Sequence, residues 1–406
     1  MRLRTKAAGL LAGLMVLAST GSALAAGSNY QPVSGGVVKF DKYLVMDQEA
    51  NVPNQTFEFT IAPAASGLAD ANGKLVVQSG SASAVTGSPT IAAGQAAFST
   101  GDTTYTTVQP HVDTGTQQAT QPKDNVTLGA DQKYARKQVA VDFSSVKFSE
   151  PGVYRWVVTE TATQKLGIDN DTDATRNLDV YVIDQNGSLT VAGYVFHNDD
   201  AFQPAKQGSA AEPARGKSPG FSNLYTTYNV TLSKTVTGNQ GSRDQYFRFT
   251  VTITGDTPGT RFDVDLANAD AQTLVNAYSP EAHTNPSTLT LDENGSVTQD
   301  FWLQSGQTIT INGIPRAASY SVTEAPEDYR VSTSVTEGNA AAVEGTLATV
   351  EDDSLDADTV VAYTNDKTGI IATNLLTKTG PYTAVMLTGF CLLLVLAVRR
   401  RSRAQG

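Results

Sequence analysis

Three residues in the N-terminal half combine an amine, a carboxylic acid and a carboxamide at positions where apolar side chains are expected. Lys42 lies in the segment VVKFDKYLV, Glu160 ends the segment YRWVVTE, and Asn223 lies at the centre of FSNLY. Alternate residues of a β-strand face the same way, so each of these polar side chains shares a face with aromatic or aliphatic ones. The pattern predicts that all three point into one hydrophobic core.

The same set recurs in the C-terminal half, in the same order along the chain. Lys234 lies in NVTLSKTVT, Glu324 ends YSVTE, and Asn365 lies in AYTND. Each again alternates with apolar neighbours and takes a first-strand, middle-strand or last-strand position. The repetition favours a chemical role for both sets over coincidence.

Burial dictates what such a set can do. A buried ammonium or carboxylate is costly, so a core must pair the two charges or neutralise them. Desolvation lowers the lysine pKa from about 10.4 toward neutrality and keeps the carboxyl group protonated. The free amine can then attack the asparagine side-chain carbonyl, which the acid polarises while it shuttles protons. We therefore predict that each glutamate catalyses a lysine–asparagine crosslink with loss of ammonia; the alternative is an ion pair with asparagine as a hydrogen-bonding neighbour.

The segments that carry these residues are typical of β-strands. Threonine, valine, serine, glycine and aromatic residues dominate, and alternating runs such as FEFTIAP, KQVAVDF and YFRFTVTI are separated by turn residues. Such segments indicate antiparallel sandwiches. Their order repeats once, so we predict an all-β chain with two tandem immunoglobulin-like sandwiches, a first domain over 26–226 and a second over 227–367. The short junction TTYN predicts a stiff, end-to-end arrangement.

Both ends of the chain carry signals of export. A basic start, an apolar run and the small-x-small site Ala23-Leu24-Ala25 predict a secretory signal peptide over 1–25. Residues 382–398 carry no charge and, at about 1.5 Å per residue, reach roughly 25 Å, near the lower limit for a membrane span. Four arginines follow between positions 399 and 403, as expected at the cytoplasmic side. The tail is therefore predicted to hold the exported body at the membrane.

The charge distribution excludes two classes of partner. Residues 1–25 and 382–406 hold seven of the 29 basic residues and none of the 40 acidic ones, which leaves a net charge of about −18 between them. Such an acidic body argues against nucleic acid and anionic lipid as partners.

The sequence gives little support for metal binding or for thiol chemistry. The one cysteine, Cys391, lies in the apolar tail, so the exported body has no disulfide. His111, His197 and His283 are scattered without paired spacing, so we expect no zinc, no cofactor and no Cys/His catalysis. The acidic turn IDNDTD at 168–173 leaves a calcium site open as an alternative to an ordinary solvated turn.

With these features together, the chain resembles the backbone (shaft) pilins of Gram-positive covalent pili. The likeness is to the two-domain streptococcal T-antigen type with immunoglobulin-like, collagen-adhesin-B-type modules. Its most specific parts are GVYRWVVTE, FSNLY and the C-terminal tail. The resemblance implies a structural subunit rather than an enzyme, an autocatalytic isopeptide bond in each domain, and a location on the cell wall.

The resemblance also implies a role for the tail, 368–406, as a cell-wall sorting signal. Family members carry L-P-x-T-G ahead of the membrane segment, and a membrane-bound sortase cuts between the threonine and the glycine. Carried over, the motif is Leu376, Thr377, Lys378, Thr379 and Gly380, with the cut after Thr379 and with Thr377 where the family has proline. Which sortase reads this variant stays open, and the alternative is a plain membrane anchor that is never cut.

The family further requires an acceptor lysine near the end of the first domain. Lys217, in ARGKSPGFSN, is the predicted polymerisation lysine, and Lys206 is the alternative. The implied partners are sortase, other copies of the chain, peptidoglycan, minor pilins and host surface ligands. The competing function is a singly anchored adhesin or minor pilin that is not polymerised.

Overall fold

The structure, a computed structural model, describes residues 31–32, 35–65, 67–69, 75–110, 124, 126–198, 220–267 and 275–369. Within these ranges the regular elements are β-strands, and none is a helix. The predicted all-β fold class is therefore confirmed. The predicted signal peptide and the C-terminal tail from residue 370 onward lie outside the described residues. No helix long and apolar enough to cross a membrane occurs in the described part.

Among the residues that the structure describes, seventeen strands precede the junction and form what we call the first unit. They are β1 (Gln31–Pro32), β2 (Val37–Asp47), β3 (Thr56–Phe57), β4 (Phe59–Pro63), β5 (Leu68–Ala69), β6 (Leu75–Ser79), β7 (Val85–Thr86), β8 (Thr90–Ile91), β9 (Ala96–Ala97), β10 (Thr104–Tyr105), β11 (Gln132–Asp142), β12 (Lys147–Phe148), β13 (Gly152–Glu160), β14 (Ile168–Asp169), β15 (Thr175–Gln185), β16 (Ser188–His197) and β17 (Gly220–Tyr225).

Within the described part of the chain, eleven strands follow the junction and form the second unit. They are β18 (Thr227–Thr237), β19 (Phe247–Thr254), β20 (Arg261–Ala267), β21 (Thr288–Thr290), β22 (Ser296–Leu303), β23 (Thr308–Pro315), β24 (Ser319–Glu324), β25 (Arg330–Glu337), β26 (Val343–Gly345), β27 (Thr349–Asp352) and β28 (Thr359–Asp366).

Two main sheets enclose the core of the first unit. One has the order β1-β16-β15-β13-β6-β5, with β4 also paired to β13, and the other has the order β10-β11-β2-β17-β14, with β8 also paired to β11. Aromatic side chains from both sheets meet between them. Phe40 of β2 stacks on Phe196 of β16 at 5.0 Å between ring centroids and meets Phe59 of β4 edge-on at 5.0 Å. The result is a β-sandwich with one continuous core.

The second unit repeats this plan with fewer strands. Its sheets have the orders β21-β20-β23-β18-β28-β25-β26 and β22-β19-β24-β27. Phe249 of β19 and Tyr363 of β28 meet across the sandwich at 5.3 Å between ring centroids. Buried residues from both sheets form a second core, separate from the first.

In both units the first long strand pairs in parallel with the last. In the first unit β2 pairs with β17, and in the second β18 pairs with β28. The neighbours on the other side of these strands pair with them in the antiparallel orientation, as β11 does with β2, β23 with β18 and β25 with β28. The two strands predicted to be crosslinked are therefore direct neighbours in each unit.

Strand β2 departs from the predicted alternation of buried and exposed positions. Tyr43 and Val45 face away from the main core, yet they are buried with Tyr134 in a small cluster of their own. The buried carboxylate of Asp124 accepts a hydrogen bond of 2.6 Å from the Tyr134 hydroxyl and pairs with Arg136 at 3.0 Å. Strand β2 is therefore covered on both faces, because Asp124, Val126 and Leu128 lie over the outside of its sheet.

Turns from the two units interlock at the junction. Arg316 pairs with Asp169 through two hydrogen bonds of 2.6 and 3.1 Å, and Asn51 donates to Asp263 at 3.0 Å. The Leu166 main-chain N–H donates to the Asp256 carboxylate at 3.0 Å. Exposed ion pairs contribute little, about 0–1 kcal/mol each. Their directional contacts nevertheless fix the orientation of one unit against the other.

Gly313 brings its backbone close to the first unit at this junction. It has a φ of +74°, and a Cβ at this position would lie 2.8 Å from the Ala50 Cα of the first unit. Any side chain would therefore push the two units apart. Gly306 also lies in the second unit with a φ of +88°, but a Cβ there would meet nothing within 4 Å.

These two glycines form a matched pair for testing the junction. Both alanine substitutions carry the left-handed backbone penalty of about 1–2 kcal/mol. Only Gly313→Ala adds an overlap with the first unit, so we expect a larger loss of unfolding free energy than for Gly306→Ala. We also expect Gly313→Ala to separate the unfolding of the two units in calorimetry. Equal losses for the two variants would mean that the junction does not couple the units.

Candidate crosslinking sites

Strand pairing accounts for the position of Lys42 and Asn223 in the first unit. In the parallel ladder of β2 and β17, Lys42 pairs with Phe221 and Leu44 pairs with Asn223. Asn223 therefore lies two residues beyond the partner of Lys42, on the same face of the sheet. Glu160, the last residue of β13, reaches the pair from the facing sheet.

All three side chains meet at hydrogen-bond distance. Lys42 Nζ lies 2.8 Å from both carboxylate oxygens of Glu160 and 2.6 Å from Asn223 Oδ1. Asn223 Nδ2 donates to Glu160 Oε1 at 2.8 Å. The lysine is fully buried, and the other two residues are at most 4% exposed. The sequence-predicted set is thus assembled around one shielded amine.

Burial sets the protonation of this cluster. Desolvation lowers the Lys42 pKa to about 8, although the neighbouring carboxylate opposes the change. Desolvation also raises the pKa of Glu160 against the opposing effect of Lys42. Both shifts favour the uncharged partners. The Phe57 ring lies 4.4 Å from Lys42 Nζ and keeps water from the amine.

The second unit reproduces the register. In the ladder of β18 and β28, Lys234 pairs with Tyr363 and Val236 pairs with Asn365. The asparagine again lies two residues beyond the partner of the lysine. Glu324 ends β24 in the facing sheet, as Glu160 ends β13.

The second set meets at Glu324. Lys234 Nζ lies 2.7 Å from Glu324 Oε1, and Asn365 Nδ2 donates to the same oxygen at 2.8 Å. Burial lowers the Lys234 pKa to about 8 and raises the pKa of Glu324. The Phe247 ring lies 4.5 Å from the amine.

Hydrogen bonding is less complete in the second set. Lys234 Nζ contacts Glu324 through the ion pair of 2.7 Å to Oε1. Among the described residues, Glu324 Oε2 and Asn365 Oδ1 have no hydrogen-bond partner. Buried polar atoms without partners are uncommon and costly. The second set is therefore joined by fewer hydrogen bonds than the first.

The glutamates differ from expectation in the atom that they contact. The sequence predicts that the acid polarises the asparagine carbonyl. In the structure, Glu160 and Glu324 each contact the amide nitrogen instead, because a carboxylate accepts hydrogen bonds and the amide turns its NH₂ toward it. Each acid is therefore placed to protonate the departing nitrogen.

A donor to the Asn223 carbonyl comes from a residue that sequence reasoning missed. The main-chain N–H of Asp171 donates to Asn223 Oδ1 at 2.9 Å. Asp171 belongs to the acidic turn for which a calcium site was the alternative. The described residues contain no group of three or more potential metal ligands of the His, Cys, Asp or Glu type. The Asp171 carboxylate instead pairs with Arg176 at 2.8 Å, so this turn is organised by an arginine.

The remaining predicted site residues lie outside the described residues. They are the acceptor candidates Lys217 and Lys206 and the motif residues Leu376, Thr377, Lys378, Thr379 and Gly380. Their roles stay predictions.

His197 lies in a separate buried cluster, where its Nε2 is 3.0 Å from the Asp179 carboxylate that also binds Arg155.

Family models match both units. Residues 38–226 match the Spy0128-like isopeptide containing domain, FctA, and residues 228–367 match a domain of unknown function, DUF7601. The first unit is accordingly similar to domains of the isopeptide-containing class.

Relatives with curated descriptions are pilus proteins. The chain is 25% identical over 259 residues to a pilin of Streptococcus pyogenes serotype M1, across 61% of this chain and 68% of that pilin. It is 27% identical over 204 residues to the pilus tip adhesin Cpa of Streptococcus pyogenes, across 50% of this chain but only 25% of the adhesin. The predicted resemblance to a streptococcal backbone pilin is confirmed.

Solved structures of major pilins align with this chain at low sequence identity. A major pilin from Streptococcus pyogenes aligns over 83% of this chain and 100% of its own length, with 19% identity and a TM-score of 0.49. The major pilin T3.2 from the same species aligns over 82% and 100%, with 19% identity and a TM-score of 0.44.

The protonation states predict a bell-shaped dependence of crosslinking on pH. The productive cluster holds one proton that passes from amine to carboxyl. As pH falls through the raised pKa of Glu160, a second proton traps the lysine as ammonium; as pH rises past about 8, the cluster loses the proton that the leaving group needs. We expect the Lys42–Asn223 linkage to form fastest between these limits.

This profile is measured on chain recovered unfolded from inclusion bodies and diluted from denaturant into a series of buffers. Aliquots are quenched in acid and digested, and the linked peptide is quantified by mass spectrometry. A rate that keeps increasing above pH 9 would contradict a need for the glutamic acid proton.

Proposed function

We propose that this protein is the structural subunit of a covalently polymerised cell-surface pilus, with two domains, 26–226 and 227–367, that each form a lysine–asparagine isopeptide bond. The observation that carries the proposal is the repeated burial of lysine, glutamate and asparagine in one register. The family match of the first unit and the 25% identical pilin support it.

The proposed reaction needs no cofactor and occurs once per domain. Lys42 transfers a proton to Glu160, and the free amine attacks Asn223 Cγ. The tetrahedral intermediate then loses its amide nitrogen as ammonia, with the proton supplied through Glu160. Lys234, Glu324 and Asn365 follow the same course. The protein acts on itself and turns over no external substrate.

The proposed bonds close long loops, of 181 and 131 residues. In the chain-entropy model developed for disulfides, each such link destabilises the unfolded state by about 5 kcal/mol. Because the only cysteine lies in the tail, isopeptide bonds would supply the durability that disulfides give many exported proteins.

Polymerisation is proposed to proceed head to tail. Sortase would cleave between Thr379 and Gly380 and transfer Thr379 to Lys217 of the next subunit, and the final subunit would be joined to peptidoglycan. A donor at one end of the chain and an acceptor elsewhere make a heterologous contact, which propagates as an open filament. The fibre would thus be anchored in the wall of a Gram-positive cell, with minor pilins or host ligands as further partners.

A second candidate function is display as a singly anchored adhesin or minor pilin. The match to a pilus tip adhesin favours it, although the chain spans only a quarter of that adhesin. Heat- and SDS-resistant multimers in cell-wall extracts distinguish the two functions, because only a polymerised subunit produces a ladder.

Intact mass tests the crosslinks. We expect the folded body to fall short of its sequence mass by two ammonia molecules. Glu160→Gln keeps the shape of the side chain but cannot accept the lysine proton, so it should restore one ammonia, and Glu324→Gln should restore the other. A natural chain at full sequence mass would show that both sets are only ion pairs.

Substitution of the acceptor tests the polymer. Lys217→Arg keeps the charge but removes the primary amine, so we expect the multimer ladder to collapse to a single band. Lys206→Arg is the matched control and should leave the ladder unchanged. If only Lys206→Arg abolishes the ladder, Lys206 is the acceptor. If the ladder persists in both variants, neither lysine is the acceptor.

A further inference from the structure

The two crosslinking sites differ at the atom where negative charge develops. In the first unit, Asn223 Oδ1 accepts hydrogen bonds from Lys42 Nζ at 2.6 Å and from the Asp171 main-chain N–H at 2.9 Å. In the second unit, Asn365 Oδ1 has no hydrogen-bond partner among the described residues. The carbonyl is therefore polarised by donors at one site only.

The Asp171 donor exists because strand β14 is short. Its two residues pair with β17, Ile168 with Tyr225 and Asp169 with Leu224. The chain then leaves the ladder just before it reaches the level of Asn223. This departure frees the main-chain N–H of Asp171 to point at a side chain rather than at a strand.

The Asp171 carboxylate fixes the turn that presents this N–H. Its Oδ2 accepts from the Ser222 main-chain N–H and from Arg176, each at 2.8 Å. Its Oδ1 accepts from the Asp173 main-chain N–H at 3.0 Å. The Arg176 guanidinium in turn lies over the Phe221 ring at 4.6 Å. The donor is therefore tied to Ser222 on one side of Asn223 and, through the pairing of Asp169, to Leu224 on the other, and is in place before reaction.

The second unit has a full-length strand at the corresponding position. Strand β25 pairs with β28 from Arg330 to Glu337, and Val331 stands opposite Asn365. The chain does not leave the ladder at this level. No turn equivalent to the one at Asp171 is therefore available to donate to Asn365 Oδ1.

We infer that the Asp171 main-chain N–H is the oxyanion donor of the first site, so that the first unit crosslinks faster than the second; this inference rests on the proposed isopeptide chemistry. When Lys42 Nζ bonds to Asn223 Cγ, the carbonyl π electrons move to Oδ1, and Nζ can no longer serve as its hydrogen-bond donor. The Asp171 N–H remains and stabilises that charge. Glu160 protonates Nδ2 and takes up the proton that Nζ loses. The electron pair on Oδ1 re-forms the carbonyl, the bond between Cγ and Nδ2 breaks with its electron pair on nitrogen, and ammonia leaves.

The expected difference in rate is taken from the oxyanion donors of enzymes. Removal of one oxyanion donor typically slows the reaction by about 10²- to 10³-fold. We therefore expect the Lys42–Asn223 link to form at least about 10²-fold faster than the Lys234–Asn365 link in the same chain. Newly folded molecules should accumulate first as a form that has lost a single ammonia, all of it from the first unit.

An amide-to-ester replacement isolates the donor. The full-length chain is made by cell-free translation with the α-hydroxy analogue of aspartate at position 171, which replaces the N–H by an ester oxygen and keeps the carboxylate. The control carries the α-hydroxy analogue of serine at position 144, where the N–H donates to the exposed Asp142 carboxylate at 2.7 Å. After a short isotope pulse, samples are quenched in acid, and both linked peptides are quantified over time.

The inference expects the ester at position 171 to slow the first link by about 10²-fold or more, with the second link and the control unchanged. Equal rates for the two links in the natural chain, or an unchanged first link in the ester chain, would overturn it. If limited proteolysis shows that the ester chain is misfolded, the ratio of the two rates in the natural chain decides. Absence of both links would instead refute the proposed crosslinking itself.

Discussion

The arrangement on which this protein depends is an amine, a carboxyl group and a carboxamide enclosed together away from water. Left as an ion pair, the lysine and glutamate would carry a desolvation cost that their attraction barely offsets. The proposed reaction would remove that cost, because ammonia would leave neutral, the glutamate would keep a proton, and the new amide would have no charge. The same burial that makes these residues expensive as charges would thus make them reactive, and it is also the cause that lowers the pKa of each lysine to about 8.

The strand topology brings the same three kinds of side chain together in both units. A parallel ladder between first and last strands puts the asparagine two residues beyond the partner of the lysine in both units, and a glutamate at the end of a strand in the facing sheet completes each set. The surrounding strands differ in number and length without disturbing this frame. What differs is the environment of the carbonyl, where a short β14 leaves room for a turn and a long β25 does not.

Much of this was accessible from the sequence, because alternation along a strand tells which side chains share a face. The six polar residues were found in this way, as was the all-β fold. Alternation did not reveal that β2 is buried on both faces, since the covering residues around Asp124 are distant in sequence. Nor did it reveal the Asp171 donor: an acidic turn looks the same whether it holds calcium, water or Arg176. The contacts between turns at the junction could not be predicted either, because they join residues that are distant in sequence.

The parallel neighbours β18 and β28 also decide how a pulled subunit would transmit force. The chain enters the second unit at Thr227 and leaves it at Asp366, at opposite ends of two adjacent strands. With the proposed amide in place, tension would run from Thr227 to Lys234, cross to Asn365 and exit one residue later. This route is roughly 25 Å of extended chain. Residues 235–364 would form a bypassed loop, so the sandwich could not be unravelled from its ends and the fibre would have almost no slack to release.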